Sequence, residues 1–241
     1  KTTVLCVYTT LSNMKKDLQK AIQKYKVPVV AVDMLIFSII DKKLCVVLIS
    51  MKKKPFEGSW AVPGGIILKD EHIDDAARRH LEQKTNVKDV FLDQLYTFGA
   101  PNRDPFGRVV SVAYYALIPH DKVSLKTTDR YGGIEWFPVD KLPKMAYDHK
   151  DIIKMATKRL QSKLTYSNIM YSLLPKEFTL AELRTSYETI LKRTFDKRNF
   201  RKKVLSLDML IETDKKQVGV PNRPAKLYKF KNRKFKEFEI L

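Results

Sequence analysis

The sequence predicts an α+β chain in two parts: an α/β sandwich built on a mixed sheet, then a small helical domain closed by a strand pair. Three observations carry this. Residues 27–162 string together β-rich runs interrupted by only two long helical patterns. Near position 162 the composition changes, and residues 165–241 hold 18 Lys/Arg against 9 Asp/Glu. That last segment reads as three helical stretches followed by two short strands. The division is an N-terminal segment at 1–26, a first domain at 27–162 and a second at 163–241, and 241 residues suit two domains.

The elements follow in order. "SNMKKDLQKAIQKY", from Ser12 to Tyr25, predicts a short amphipathic helix with Leu18, Ile22 and Tyr25 near one face. "VVAVDMLIFSII" (Val29 to Ile40) and "LCVVLIS" (Leu44 to Ser50) are strands joined by a tight Asp-Lys-Lys turn. "KPFEGSWAVPGG" (Lys54 to Gly65) is a loop punctuated by Gly and Pro, and a helix follows from about Asp70 to Lys84. Strands come next at Val90–Gly99, Arg108–Ile118 and Gly133–Val139, then a helix over His149–Ser162.

Composition narrows the function classes. With 44% hydrophobic and 30% charged residues the chain should bury a core. Its longest apolar run is too short for a bilayer span and contains Asp33. The first ten residues lack the pattern of a secretory signal, and Cys6 and Cys45 form neither a disulfide framework nor a metal-ligand spacing. A cytoplasmic protein with no membrane partner is expected. The chain opens on Lys1 rather than a methionine, so its true start is expected to be missing. Net charge is +19, which favours a polyanionic partner, nucleic acid before anionic membrane; a generally solubilising surface is the plain alternative.

The stretch "GGIILKDEHIDDAARRHLEQKTNV" (Gly64 to Val87) carries Gly65, Glu71, Arg79, Leu81 and Val87 at the spacings of the Nudix signature GX5EX7REUXEEXGU. Together with "SWAVPGG", "RDPFGRVVSVAYYAL" and "WFPVDKLPKMAYDH", it makes most of residues 28–160 resemble the Nudix family, and those segments look most like its ADP-ribose-handling branch. The resemblance implies an α/β/α sandwich and hydrolysis of nucleoside diphosphates by a metal held on paired glutamates. Here that pair is Gln83 and Lys84, His80 replaces the glutamate after Arg79, and Asn86 replaces a glycine. A hard cation requires anionic oxygens, so the metal chemistry is expected to be lost and no cofactor required. Glu82 points to another side of the helix and does not substitute.

A pocket can outlast its chemistry. Gly64 and Gly65 would shape it, and Trp60 would stack a base or else belong to the core. Arg103 and Arg108, beside a turn, suit a pyrophosphate, although Arg103 can instead pair with Asp104. Arg79 either meets the ligand or bridges to Glu71.

In the second domain, Thr179 and Glu182 form a capping box before the apolar face of Leu180, Leu183, Tyr187 and Ile190. A further helix starts at the cap Asp196. Its buried stripe is Phe200, Val204 and Leu207; Arg198 and Lys202 fall about 160° from Phe200 on either side, with Asn199 and Arg201 flanking them. These four suit base edges in a major groove, while Lys197 and Lys203 are better placed for phosphates; a solvated charged face is the alternative. "MLIETD" (Met209 to Asp214) and "AKLYKFK" (Ala225 to Lys231) form a hairpin whose basic tip includes Arg223, with Lys226 on the returning strand. Helix, turn, basic helix and hairpin make a winged helix-turn-helix. This segment resembles the C-terminal domain of Nudix-related transcriptional regulators.

The resemblance implies a homodimeric regulator, expected to be a repressor, that binds double-stranded operator DNA and responds to a small effector. ADP-ribose, a related nucleotide or a pentose sugar are the effectors known in such families. The rival readings are a Nudix pyrophosphohydrolase with a nucleic-acid-binding tail and a basic domain without sequence preference.

Overall fold

The computed structural model describes residues 27–88, 90–218 and 224–237; the helix expected over 12–25 and the wing-tip residue Arg223 lie outside them. The first domain opens with β1 (Val29–Ile40) and β2 (Lys43–Met51). Only Asp41 and Lys42 join them, both at positive φ, 48° and 57°. The turn is shorter than the Asp-Lys-Lys connection suggested by sequence. Two residues of that handedness match the twist of paired strands and leave Lys43 to pair with Ile40.

Five further strands complete the sheet: β3 (Trp60–Ala61), β4 (Gly64–Ile66), β5 (Phe91–Phe98), β6 (Val109–Leu117) and β7 (Tyr131–Pro138). Their order is β3-β2-β1-β6-β5, with β4 also on β1 and β7 also on β2. β1 and β6 run parallel from Val29 opposite Val109 to Phe37 opposite Leu117, and the other pairs are antiparallel. The sheet is mixed, as expected. The stretch expected to be a plain loop over 54–65 contributes β3 and the start of β4. These strands are too short to show an alternating pattern, and they form by satisfying the backbone edges of β2 and β1.

Two helices cover the sheet: α1 (Ile73–Thr85) and α2 (His149–Tyr166). Alternate residues of β1 serve opposite faces. Val32, Met34 and Ile36 meet Ala76, Ala77 and Leu81 of α1, while Leu35 and Phe37 face Ile152, Ala156 and Leu160 of α2. Burial on both faces explains why β1 reads as a continuous apolar run. α1 starts at Ile73 rather than Asp70, because the preceding residues form a turn in which the Leu68 N–H donates to Glu71 Oε2 at 3.0 Å. α2 continues beyond Ser162 to Tyr166; Leu164 is fully buried and Lys163 Nζ donates to Asp93 Oδ2 at 2.5 Å, which holds the extra turn.

The second domain consists of a single 3-10 turn (Ile169–Ser172) where the first of three helices was expected, then α3 (Leu180–Leu191), α4 (Lys197–Ser206), β8 (Leu210–Lys216) and β9 (Lys226–Phe230). The capping box is formed: Glu182 N–H donates to Thr179 Oγ1 at 3.1 Å and Thr179 N–H to Glu182 Oε2 at 2.7 Å. Asp196 caps α4 by accepting from the N–H groups of Arg198 and Asn199. Leu183, Tyr187, Ile190, Phe200, Val204, Tyr228 and Phe230 form its core, in one continuous cluster with the α2 face of the sheet. Gln161 Nε2 donates to Ile190 O at 2.8 Å, and Lys192 pairs with Asp140 at 3.1 Å. The basic domain is therefore seated on the sandwich.

Candidate functional site

A cleft of about 380 Å3 opens beside β1, β4 and the 103–109 loop. Gly64, Gly65, Arg103 and Arg108 line it, with Asp33, Phe106, Arg130, Tyr131, Tyr147 and His149 among the other walls. The glycines are there for space. A Cβ on Gly64 would come within 2.3 Å of the Val32 carbonyl oxygen, and one on Gly65 within 2.8 Å of His80 Cε1. Backbone thus replaces side chains at the cleft floor, with β1 and α1 close behind it.

Arg103 does not pair with Asp104. Its guanidinium is buried between two other carboxylates: Nε donates to Asp148 Oδ2 at 2.9 Å, and Nη2 to Asp148 Oδ1 at 2.7 Å and Asp33 Oδ2 at 3.1 Å. Ser111 Oγ donates to Asp33 at 2.7 Å. His149 Nδ1 accepts from the Val62 N–H at 3.0 Å, so the ring carries its proton on Nε2, 3.6 Å from Asp33 Oδ1. Burial lowers the pKa of His149 although Asp33 and Asp148 oppose the shift, which keeps the imidazole neutral. Arg103 is therefore a fixed part of the cleft wall, its charge already met by carboxylates. Arg108 Nη1 donates to the Gly99 and Ala100 carbonyls at 2.7 and 3.1 Å and ties the loop to β5.

Two expected effector residues lie elsewhere. Trp60 stands edge-on to Phe137, ring centroids 4.6 Å apart, and its backbone N–H donates to Lys144 O. It packs against the main core and does not line this cleft. Arg79 is clamped by Glu71 through Nε–Oε1 at 2.6 Å and Nη2–Oε2 at 2.7 Å. Those hydrogen bonds, with that of Leu68, hold the Glu71 pKa at about 2. Sequence reasoning did not select Asp33, Arg130, Tyr131, Tyr147, Asp148 or His149. One signal was visible: Asp33 is an acid inside an apolar strand, and such a residue is kept only with partners.

The box helix does not suit a metal. Glu71 is occupied by Arg79, and Glu82 lies outward in an ion pair with Lys88 at 2.9 Å. Gln83 is exposed, and Lys84 is buried with its ammonium 4.6 Å from the centroid of the Tyr131 ring. Among the described residues no group of three or more His, Cys, Asp or Glu could hold a metal ion. A divalent cation fits neither this donor set nor the lysine charge. Asn86 takes the left-handed conformation of the glycine it replaces, φ 57°, and its N–H donates to Glu82 O.

In the second domain, Phe200 and Val204 are buried and Leu207 half-buried, while Lys197, Arg198, Asn199, Arg201, Lys202 and Lys203 are all exposed. Among the described residues none of these cations is in an ion pair, and of the five only Arg201 lies close enough to act on the Glu212 carboxylate of the wing. Lys226 differs. It pairs with Glu212 across the hairpin, and Glu212 also accepts from the Tyr228 hydroxyl at 2.9 Å. Gln217 N–H donates to Ala225 O at 2.8 Å and closes the base of the wing.

Comparison with known proteins agrees with this two-part reading. Residues 28–156 match the NUDIX domain model, and residues 170–230 match the NrtR DNA-binding winged helix domain. The ADPR responsive transcriptional repressor NtrR of Acinetobacter baylyi is 35% identical over 210 residues, 86% of this chain and 83% of the relative. An ADP-ribose pyrophosphatase of Methanocaldococcus jannaschii is 35% identical over 140 residues, 58% of this chain and 79% of that enzyme. Shewanella oneidensis NrtR, solved with a 27mer DNA, is 33% identical with TM-score 0.74, covering 84% of this chain and 93% of that one. Its NUDIX domain, solved with ADP ribose, is 32% identical with TM-score 0.50, over 57% of this chain and 92% of that one. Among the described residues no helix is long and apolar enough to cross a membrane. With a Nudix sandwich whose box lacks the paired glutamates, followed by a winged helix with an exposed basic face, this chain belongs to the NrtR family of Nudix-related transcriptional regulators.

Proposed function

We propose that this protein is a cytoplasmic, homodimeric repressor that binds double-stranded operator DNA through α4 and the wing and is released by a small effector held in the Nudix cleft. The observation that carries this reading is the basic face of α4, five cations and Asn199 exposed opposite a buried stripe and none of them ion-paired among the described residues. A charged face of that kind suits the major groove. The join between the domains falls in the last turn of α2 and the residues after it, 162–167.

ADP-ribose, or a related nucleotide, is the effector the site supports best, ahead of a pentose. Two relatives carry ADP-ribose in their descriptions, and a third has been solved with it in the corresponding domain. Gly64, Gly65 and Arg108 line the cleft directly, and Arg103 organises its wall; Trp60 and Arg79 support the fold behind it. The box residues suit binding without hydrolysis, since neither Gln83 nor Lys84 supplies an anionic ligand.

The test is fluorescence anisotropy on DNA from upstream of the gene, with excess bulk competitor at about 150 mM salt, repeated with ADP-ribose and with L-arabinose. Specific binding released by ADP-ribose is expected. Release by arabinose alone would assign the pentose branch, and equal competition by bulk DNA would leave a non-specific binder. The pyrophosphatase relative favours one rival, hydrolysis of ADP-ribose with Mg2+ or Mn2+. Turnover lost on Glu71→Gln would establish it.

A further inference from the structure

Two side chains in the C-terminal half of α1 lie directly behind residues that line the effector cleft. His80 packs against Gly65 on its floor, and one turn later Lys84 reaches the ring of Tyr131, which lines it. Lys84 is only 6% exposed. Among the described residues its ammonium makes no ion pair and no hydrogen bond. The other charge acting on it is Arg130, whose guanidinium lies 5.7 Å from the same ring. Burial, and then repulsion from Arg130, lower the lysine pKa.

A buried ammonium without a counter-ion is costly, and an aromatic face returns only part of the lost hydration. Met or Leu would be cheaper here if the position served packing alone. The carboxylates at the cleft and the box turn do not pair with it: Asp33 and Asp148 are engaged by Arg103, Glu71 by Arg79, and Asp104, which also lines the cleft, accepts from the Phe106 N–H. Among the described residues Lys84 therefore stands without an ion-pair partner beside the cleft, at the helix position where the Nudix signature has a metal-binding glutamate.

We propose that Lys84, with Arg130, is a built-in substitute for the divalent cation: it neutralises a diphosphate bound in the cleft, so that this ligand class is recognised without metal. The inference rests on the effector reading above and deepens it. The preferred ligands are nucleoside diphosphate derivatives. A neutral sugar draws nothing from this charge.

The test is calorimetric titration of the full chain with ADP-ribose, in EDTA and in Mg2+. Wild type should bind equally in both. Lys84→Met should weaken binding roughly tenfold to a hundredfold, the range for losing a hydrogen bond to a charged group, while leaving the thermal midpoint unchanged or higher. Lys84→Arg should keep most of the affinity. Gln83→Glu with Lys84→Glu should bind ADP-ribose only when Mg2+ is added. Undiminished affinity in Lys84→Met, or wild-type binding that vanishes in EDTA, would overturn the proposal and leave the effector reading standing. If Lys84→Met fails to fold, loss of affinity in a folded Lys84→Arg would count against it equally. No binding by wild type in either buffer would overturn the effector reading and this inference with it.

Discussion

At the scale of residues, the cleft is governed by groups that burial has stripped of alternatives. Asp33 would be untenable in β1 without Arg103, Ser111 and the His149 ring around it. The consequence for pH has a definite sign. His80 and His149 both have pKa values lowered mainly by burial, so below their ordinary value of about 6.5 the unfolded chain takes up protons that the folded one refuses. Their contribution to stability is complete above about pH 6.5 and is lost as pH falls toward the folded values. Glu71 acts in a separate, lower window, since its carboxylate contributes fully above its ordinary pKa and loses that contribution on the way down to about 2. Denaturant midpoints should therefore fall between about pH 7.5 and about pH 5.5. His149→Asn, which keeps an acceptor for the Val62 N–H, should flatten that slope; an unchanged slope would place the proton uptake elsewhere.

Among elements, α4 gives the sharpest separation of structure from function, because its two faces are chemically opposite. Arg198→Ala and Lys202→Ala remove side chains that touch nothing in the core. Each should weaken operator binding by about 1–3 kcal/mol, the worth of a good base contact, with ADP-ribose affinity and thermal midpoint unchanged. Phe200→Ala lies on the buried stripe and should cost about 3–5 kcal/mol of stability. If Phe200→Ala proves mild while Arg198→Ala unfolds the domain, the helix is oriented the other way. This face was legible in the sequence because a 3.6-residue period sorts Phe200 and Val204 from Arg198 and Lys202 without knowledge of any partner. The capping box at Thr179 was legible for the same reason, its partners being three residues apart. β3 and β4 were not, since strands of two or three residues are defined by the edges they pair with. Nor was the Asp33–Arg103–Asp148 cluster, whose members are 70 and 45 residues apart in the chain. Local spacing cannot report such a contact, and it left Arg103 beside Asp104, its sequence neighbour.

For the whole molecule, the question is how a ligand in the cleft reaches the DNA-binding face. α2 is the physical candidate. The residues at its start, Asp148 and His149, hold Arg103 and face Asp33 at the cleft, and its far half packs Leu160 and Leu164 into the core shared with α3. Gln161 adds a hydrogen bond to the Ile190 carbonyl in the last turns of α3, just before the break that leads to α4. A ligand alters operator affinity only through contacts that differ between two states of the protein, and the coupling must be reciprocal. The factor by which ADP-ribose weakens operator binding should thus equal the factor by which operator weakens ADP-ribose binding. Gln161→Ala should shrink both factors together while changing each separate affinity far less, because it loosens the seat of α3 on α2 without touching the cleft or the basic face. Four titrations on each protein decide this: each ligand, with and without the other, on wild type and on the variant. Equal shrinkage of the two factors would identify the α2–α3 seat as the bistable contact. Unaltered coupling would move the transmission to another contact, with the Lys192–Asp140 pair the next to remove.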